Sequence, residues 1–199
     1  MKATQKDVIR ELSAITTRIV ESATSYTLLD DSMLFERLAP QKWSMAECLE
    51  HLNLYGDFYI PVIRDFISEH SDVHPRRVFQ SGFWGNYFAK SMKVNQAGTP
   101  AMKMKTFKDK NPIGMTIDRS VLERFIRQQE NYLELLTLAD RIDINLKGIP
   151  ITITGLIRLR LGDALRFTIY HNERHWIQAE RTQAELIKQK RGFIPAFYF

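Results

Sequence analysis

The chain has 199 residues, of which 44% are hydrophobic and 26% charged, and its 28 Lys and Arg outnumber 23 Asp and Glu for a net charge of +5. This profile excludes a disordered or fibrous chain and suits one domain with a substantial core. A single cysteine, Cys48, rules out an intramolecular disulfide, and neither a signal-peptide-like apolar stretch nor the roughly 20 apolar residues of a membrane span occurs, so a cytoplasmic soluble protein is expected.

The first helical pattern runs from about Gln5 to Ser25, with Val8, Leu12, Ile15 and Ile19 on one face. A second is predicted from about Met45 to Glu69. Its start carries a capping box, in which Ser44 accepts the backbone N–H of Glu47 and the Glu47 side chain reaches back to the cap. Trp43 before the cap and Cys48 after it are placed to form a hydrophobic staple. Pro61 lacks an N–H and clashes with the carbonyl of Asp57, so a kink near Asp57 or a break is expected.

Close to fifty residues, 70–118, then connect to the third helix. They include GFWGNYFAKSM, which suits a short helix, and the densest basic run of the chain, residues 90–110, with six Lys and one Asp. That run has one aromatic residue, Phe107, and nucleic-acid arms need interleaved aromatics for stacking. It reads as a solvated connection, and nucleic acid is not expected as a partner. A connection of this length permits a crossover along a bundle in place of a tight hairpin.

The third helix is predicted from about Arg119 to Ala139, with Val121, Leu122, Phe125, Ile126, Tyr132, Leu133 and Leu136 as its apolar stripe. The stretch GIPITITGLIRLRLGD is β-branched and alternating, which suits a short extended segment. One isolated strand cannot make a sheet, so the expected class is all-α, with a single domain over residues 1–199. A fourth helix covers about Asp163 to Lys190, and the terminal GFIPAFYF is apolar enough to pack on its own bundle or on a partner subunit.

Two of the five histidines, His171 and His175, lie four apart in this last helix, about 40° apart on one face and one turn apart along the axis. They can face one ion, but open metal sites usually take three protein ligands. His70 and His74, beside Ser, Asp and Pro at a helix end, read as exposed and unligated. His51 sits about two turns inside the second helix, on the side continued by Leu54, Tyr55 and Phe58, where a histidine is either a satisfied core residue or a ligand. The Glu of the H-E-x-x-H motif is absent.

The segment KWSMAECLEHL resembles the tryptophan, glutamate and histidine segment on the second helix of the DinB-like superfamily, and YHNERHWIQ resembles its H-x-x-x-H-x-x-Q segment on the last helix. The order and spacing of all four helices, with the long middle connection, extend the resemblance over nearly the whole chain. It implies a four-helix bundle of up-up-down-down topology with a crossover between helices 2 and 3, and a homodimer formed by helix packing. It further implies a divalent metal, Zn or Ni, held by His51, His171 and His175, with protons competing for the imidazoles below about pH 6.5. Gln178 is placed either to orient a ligand imidazole or a bound water, or to face solvent. Glu47 either accepts a ring N–H or serves only the capping box, and Cys48 is either a thiolate ligand or a buried packing thiol. Trp84 and Tyr87 line the mouth of the site or simply anchor the connection.

No catalytic residue is identifiable from the sequence. Characterised members of the superfamily include transferases and an isomerase that use a low-molecular-weight thiol, and others are described only as metal-dependent hydrolases. The resemblance therefore implies a thiol-dependent S-transferase or a hydrolase acting on a small-molecule substrate. The other reading is a non-catalytic, dimeric metal- or ligand-binding bundle with a stress-related role.

Overall fold

The structure, a computed structural model, describes residues 1–95, 97–99, 102, 106–152 and 156–192. Helix α1 (Gln5–Ser25) begins where the Thr4 side chain accepts the Asp7 N–H, and it buries Val8, Leu12, Ile15 and Ile19. After a short helix α2 (Asp31–Phe35), helix α3 (Met45–Glu69) opens with the predicted capping box. Ser44 Oγ accepts the Glu47 N–H at 3.2 Å, and the Glu47 carboxylate accepts the Ser44 N–H at 2.9 Å. Helices α4 (Phe83–Met92), α5 (Ser120–Ala139) and α6 (Leu161–Gly192) complete a mostly helical fold. The expected break in α3 does not occur. Asp57 and Pro61 both lie on its exposed face, where water can satisfy the carbonyl that the proline leaves unpaired.

Helix α1 packs against α5 and α6, and α3 packs against the same two. Contacts between named residues fix the directions. Along α3 and α5, Glu50 pairs with Arg124 and Arg64 with Glu134, so these helices run parallel. Glu11 bonds Tyr170 and Ser22 bonds Glu180, so α1 and α6 are also parallel. Gln5, at the start of α1, donates to the Ala139 and Ile142 carbonyls at the end of α5, which makes that pair antiparallel. Tyr59 against Phe167 and His51 against His175 make α3 and α6 antiparallel. The order is therefore up-down-down-up, which corrects the expected up-up-down-down topology. The physical reason lies in the connections. Residues 70–119 must travel the length of a 25-residue helix, roughly 37 Å, to join two parallel neighbours, whereas the other links turn back at the end where they start.

The extended stretch is also not isolated. Strand β3 (Lys147–Pro150) pairs antiparallel with β4 (Arg158–Arg160), so the β-branched segment folds back on itself as a hairpin. A second small sheet pairs β1 (Lys2–Thr4) with β2 (Val78–Gln80) and ties the chain start to the middle connection. His74 is exposed as expected, while His70 is half-buried, its ring Nδ1 2.8 Å from the Phe66 carbonyl. Of GFIPAFYF, residues 193–199 lie outside the described residues.

Buried polar groups pin these elements together. A Cβ on Gly56 would lie 2.1 Å from Gln128 Oε1, so only glycine lets Gln128 come close enough to donate to the Asn53 carbonyl at 3.1 Å and to Asp57 at 2.8 Å. At the start of α6, the fully buried Asp163 accepts the Gly82 N–H at 2.8 Å and bonds Ser81 and Arg166, holding α4 onto α6. Removing one member of a buried ion pair leaves the other charge uncompensated. Asp163→Ala is expected to lower unfolding free energy by about 3–5 kcal/mol in urea titrations at neutral pH. A loss below about 1 kcal/mol would show that this pair does not hold the connection in place.

Candidate metal centre

The antiparallel contact of α3 with α6 brings His51 opposite His171 and His175. One ring nitrogen from each lies within 4.8 Å of the other two, and His51 Nε2 is 3.2 Å from His171 Nε2. Ring centroids are separated by 5.0 Å for His51 and His171, 4.6 Å for His51 and His175, and 4.7 Å for His171 and His175. His51 and His171 are buried, at 2% and 4% exposure, and His175 is partly covered. The one-turn spacing on α6 places two imidazoles on one face, and helix packing supplies the third.

The outward-facing nitrogens determine which tautomers the rings hold. His51 Nδ1 is 2.7 Å from the backbone carbonyl of Lys110, an acceptor only, so that nitrogen carries the proton and Nε2 presents a lone pair. His175 Nδ1 is 3.0 Å from Gln178 Oε1, which fixes the same tautomer. Burial holds all three rings below the usual histidine range: His51 falls to about 4, and His171 and His175 lie well below their ordinary value. Tyr55, edge-on to His51 and tilted against His171, is pushed up to about 12 by burial and stays protonated.

Residues 16–179, a span that includes all three histidines and Gln178, match the sequence profile of the DinB superfamily. The chain belongs to the DinB superfamily. Comparison with curated proteins and with solved structures gives no match.

Within this DinB-superfamily bundle the other predicted site residues separate. Gln178 Oε1 lies within hydrogen-bond distance of His175 Nδ1, at 3.0 Å. Glu47 does not reach a histidine; besides capping α3 it forms an ion pair with Arg37. Cys48 is fully buried, its thiol pushed up by burial, and it does not join the histidine group. Trp84 and Tyr87 do not line the site: both are about half exposed on α4, and Tyr87 faces a separate groove beside Met102.

Several contributors were not foreseen. Trp43, expected as a staple and as the tryptophan of the family-like segment but given no contact with the histidines, stands 4.8 Å from the His51 ring and 5.7 Å from the His175 ring and walls the site. Lys110 belongs to a 3-10 turn, Lys108–Lys110, in the basic run read as a solvated connection; its carbonyl in fact caps His51. A cavity of about 50 Å3 beside the imidazoles is lined also by Tyr55, Met92, Thr152, Phe167 and Arg174. No short pattern in the sequence marks a carbonyl acceptor or a cavity wall drawn from five separate segments. A larger groove of about 830 Å3 along α1 and α6 contains none of the three histidines.

The donor set of this DinB-superfamily site fits a divalent ion: three neutral imidazoles, two with fixed tautomers, and a cavity on the open side. Because folding depresses the histidine pKa values, protons compete for these rings in the folded protein at lower pH than the 6.5 expected of free imidazoles, near 4 for His51. The sign for stability follows from linkage. The unfolded chain takes up protons below about pH 6.5 while the folded site refuses them, so stability is full above that pH and is lost as pH falls toward 4. Metal-free protein is expected to lose about 2 kcal/mol between pH 7 and pH 5 from His51 alone. A flat unfolding free energy across that window, measured in urea, would contradict the buried neutral site.

Proposed function

We propose that the protein is a divalent-metal-dependent enzyme that uses the three-histidine site for thiol-dependent transfer to a small-molecule substrate. The convergence of the ring nitrogens of His51, His171 and His175 within 4.8 Å carries this reading. Zn or Ni suits three imidazoles, and the ion, when bound, would act as a Lewis acid that lowers the pKa of a coordinating thiol or water. The reading takes residues 1–199 as one DinB-like domain, cytoplasmic and homodimeric. No described helix is long and apolar enough to cross a membrane.

Thiol transfer is favoured over hydrolysis by what lines the cavity. A hydrolase of this kind needs a general base to take a proton from water, and no carboxylate lines the cavity among the described residues. All three imidazoles are committed as ligands in this reading. A thiol is far more acidic than water and needs no such base once it is coordinated. Tyr55, held protonated, can donate a hydrogen bond to an oxygen that gains charge in the cavity, while Trp43 and Phe167 exclude water from the rings. The small volume of the cavity, about 50 Å3, favours the second reading, a non-catalytic metal-binding bundle.

Elemental analysis of untagged protein purified without chelators tests the site. About one divalent ion per chain is expected, lost in His171→Ala with helical content unchanged, because apolar packing holds the bundle. Retention of the ion by that variant would overturn the assignment. Gln178→Ala, which frees the His175 ring, is expected to weaken metal affinity by about 10–100-fold in chelator competition. Unchanged affinity would reduce Gln178 to a surface residue.

A further inference from the structure

Arg174 stands out among the charged side chains that meet the site. It lies on α6 between the two histidines of H-x-x-x-H and lines the same cavity as all three imidazoles. It is half-buried, and its positive charge is felt at His51, His171 and His175. Its guanidinium donates one hydrogen bond, from Nη1 to the Ser91 carbonyl at 3.2 Å, which anchors it to the end of α4. No Asp or Glu among the described residues pairs with it, and the residues outside the description include no Asp or Glu. The adjacent Glu173 pairs instead with Arg18 on α1.

A partly desolvated guanidinium with a fork of unpaired N–H donors beside a neutral ligand set is costly unless something anionic meets it. Among the described residues it has no such partner. Thr152, across the cavity, has a buried hydroxyl oxygen that makes no well-formed hydrogen bond among the described residues, with the Tyr55 and Tyr59 hydroxyls close by, so the same space offers a second polar group. Arg166, a fully buried arginine of α6, is paired through Nη1 with Asp163 and Ser81, while its Nε has no partner among the described residues. The contrast is informative: where α6 needs an arginine for structure, it supplies the counter-charge.

We propose that Arg174, with Thr152, binds the carboxylate of the small molecule that enters the cavity beside His51, His171 and His175. The proposal deepens the metal-site reading by naming the substrate class as a small carboxylic acid. Guanidinium and carboxylate match as a planar, two-pronged pair, and the cavity accommodates an anion of only a few heavy atoms. A bound divalent ion would add positive charge to a site whose protein ligands contribute none, so the carboxylate would bind more tightly in the loaded protein.

The test uses acetate as the probe and its neutral isostere acetamide as the control, on the full chain. The Arg174 side-chain Nε–H resonance, identified by its absence from Arg174→Gln, is followed first in metal-free protein. Acetate is expected to shift it saturably and acetamide to leave it in place. In Arg174→Gln, acetate affinity, read from the remaining cavity resonances, should fall by about tenfold or more, and Arg174→Lys should recover part of it. An equal response to acetamide, or undiminished acetate affinity in a folded Arg174→Gln, would overturn the proposal. Metal content, measured on the same samples, is scored apart. Acetate binding at Arg174 without any metal uptake would sink the metal reading and leave this one standing, and metal uptake with no acetate response would do the reverse.

Discussion

Three imidazoles in a mostly apolar interior can persist only as neutral rings whose polar nitrogens are met, and much of this structure serves that constraint. A protonated His51 or His171 would put charge where burial makes it expensive, so both rings are held neutral. Neutral rings still carry an N–H, and each needs an acceptor. The Lys110 carbonyl and the Gln178 amide oxygen provide it for His51 and His175, and in doing so turn the remaining lone pairs toward one another. His171 Nε2, 3.2 Å from His51 Nε2, can share a proton with that lone pair or, together with it and His175, face a cation, so the cluster could hold an ion.

The long middle connection is the second dependency. Because α3 and α5 are parallel neighbours, the chain must return along the bundle between them, and it uses that return to close the site. The end of α4 anchors Arg174, Met92 joins the cavity wall, and the 3-10 turn at Lys108–Lys110 places a carbonyl on His51. The buried Asp163 and Arg166 hold the start of α4 in register with α6. A surface link would need none of these attachments.

The parts of the account legible in the sequence are those with local causes. The capping box at Ser44 and Glu47 and the apolar spacing of α1 gave helix boundaries that the structure reproduces, because both depend on residues three and four apart. The pairing of His171 with His175 is local in the same sense, whereas bringing in His51 rested on a family resemblance. Helix direction was not legible. It depends on where the connections end, and the sequence pattern of an amphipathic helix is the same whichever way it runs. The roles of Lys110, Arg174 and Trp43 were hidden for a related reason: a backbone carbonyl has no side-chain signature, and an arginine or tryptophan becomes part of a site only through contacts made at long sequence separation. Glu47 shows the converse, since its local role as a cap, together with its pairing to Arg37, left it no freedom to serve the histidines.

The central claim is that His51, His171 and His175 together hold one divalent ion by nitrogen alone. X-ray absorption at the metal edge, on protein purified without added thiol, tests it most directly. The account predicts a first shell of imidazole nitrogens at about 2.0–2.1 Å, for zinc, with the outer-shell scattering of about three rings and no sulfur. A sulfur at about 2.3 Å would bring Cys48 into the site, and a shell without imidazole scattering would remove the histidines from it; either result contradicts the account.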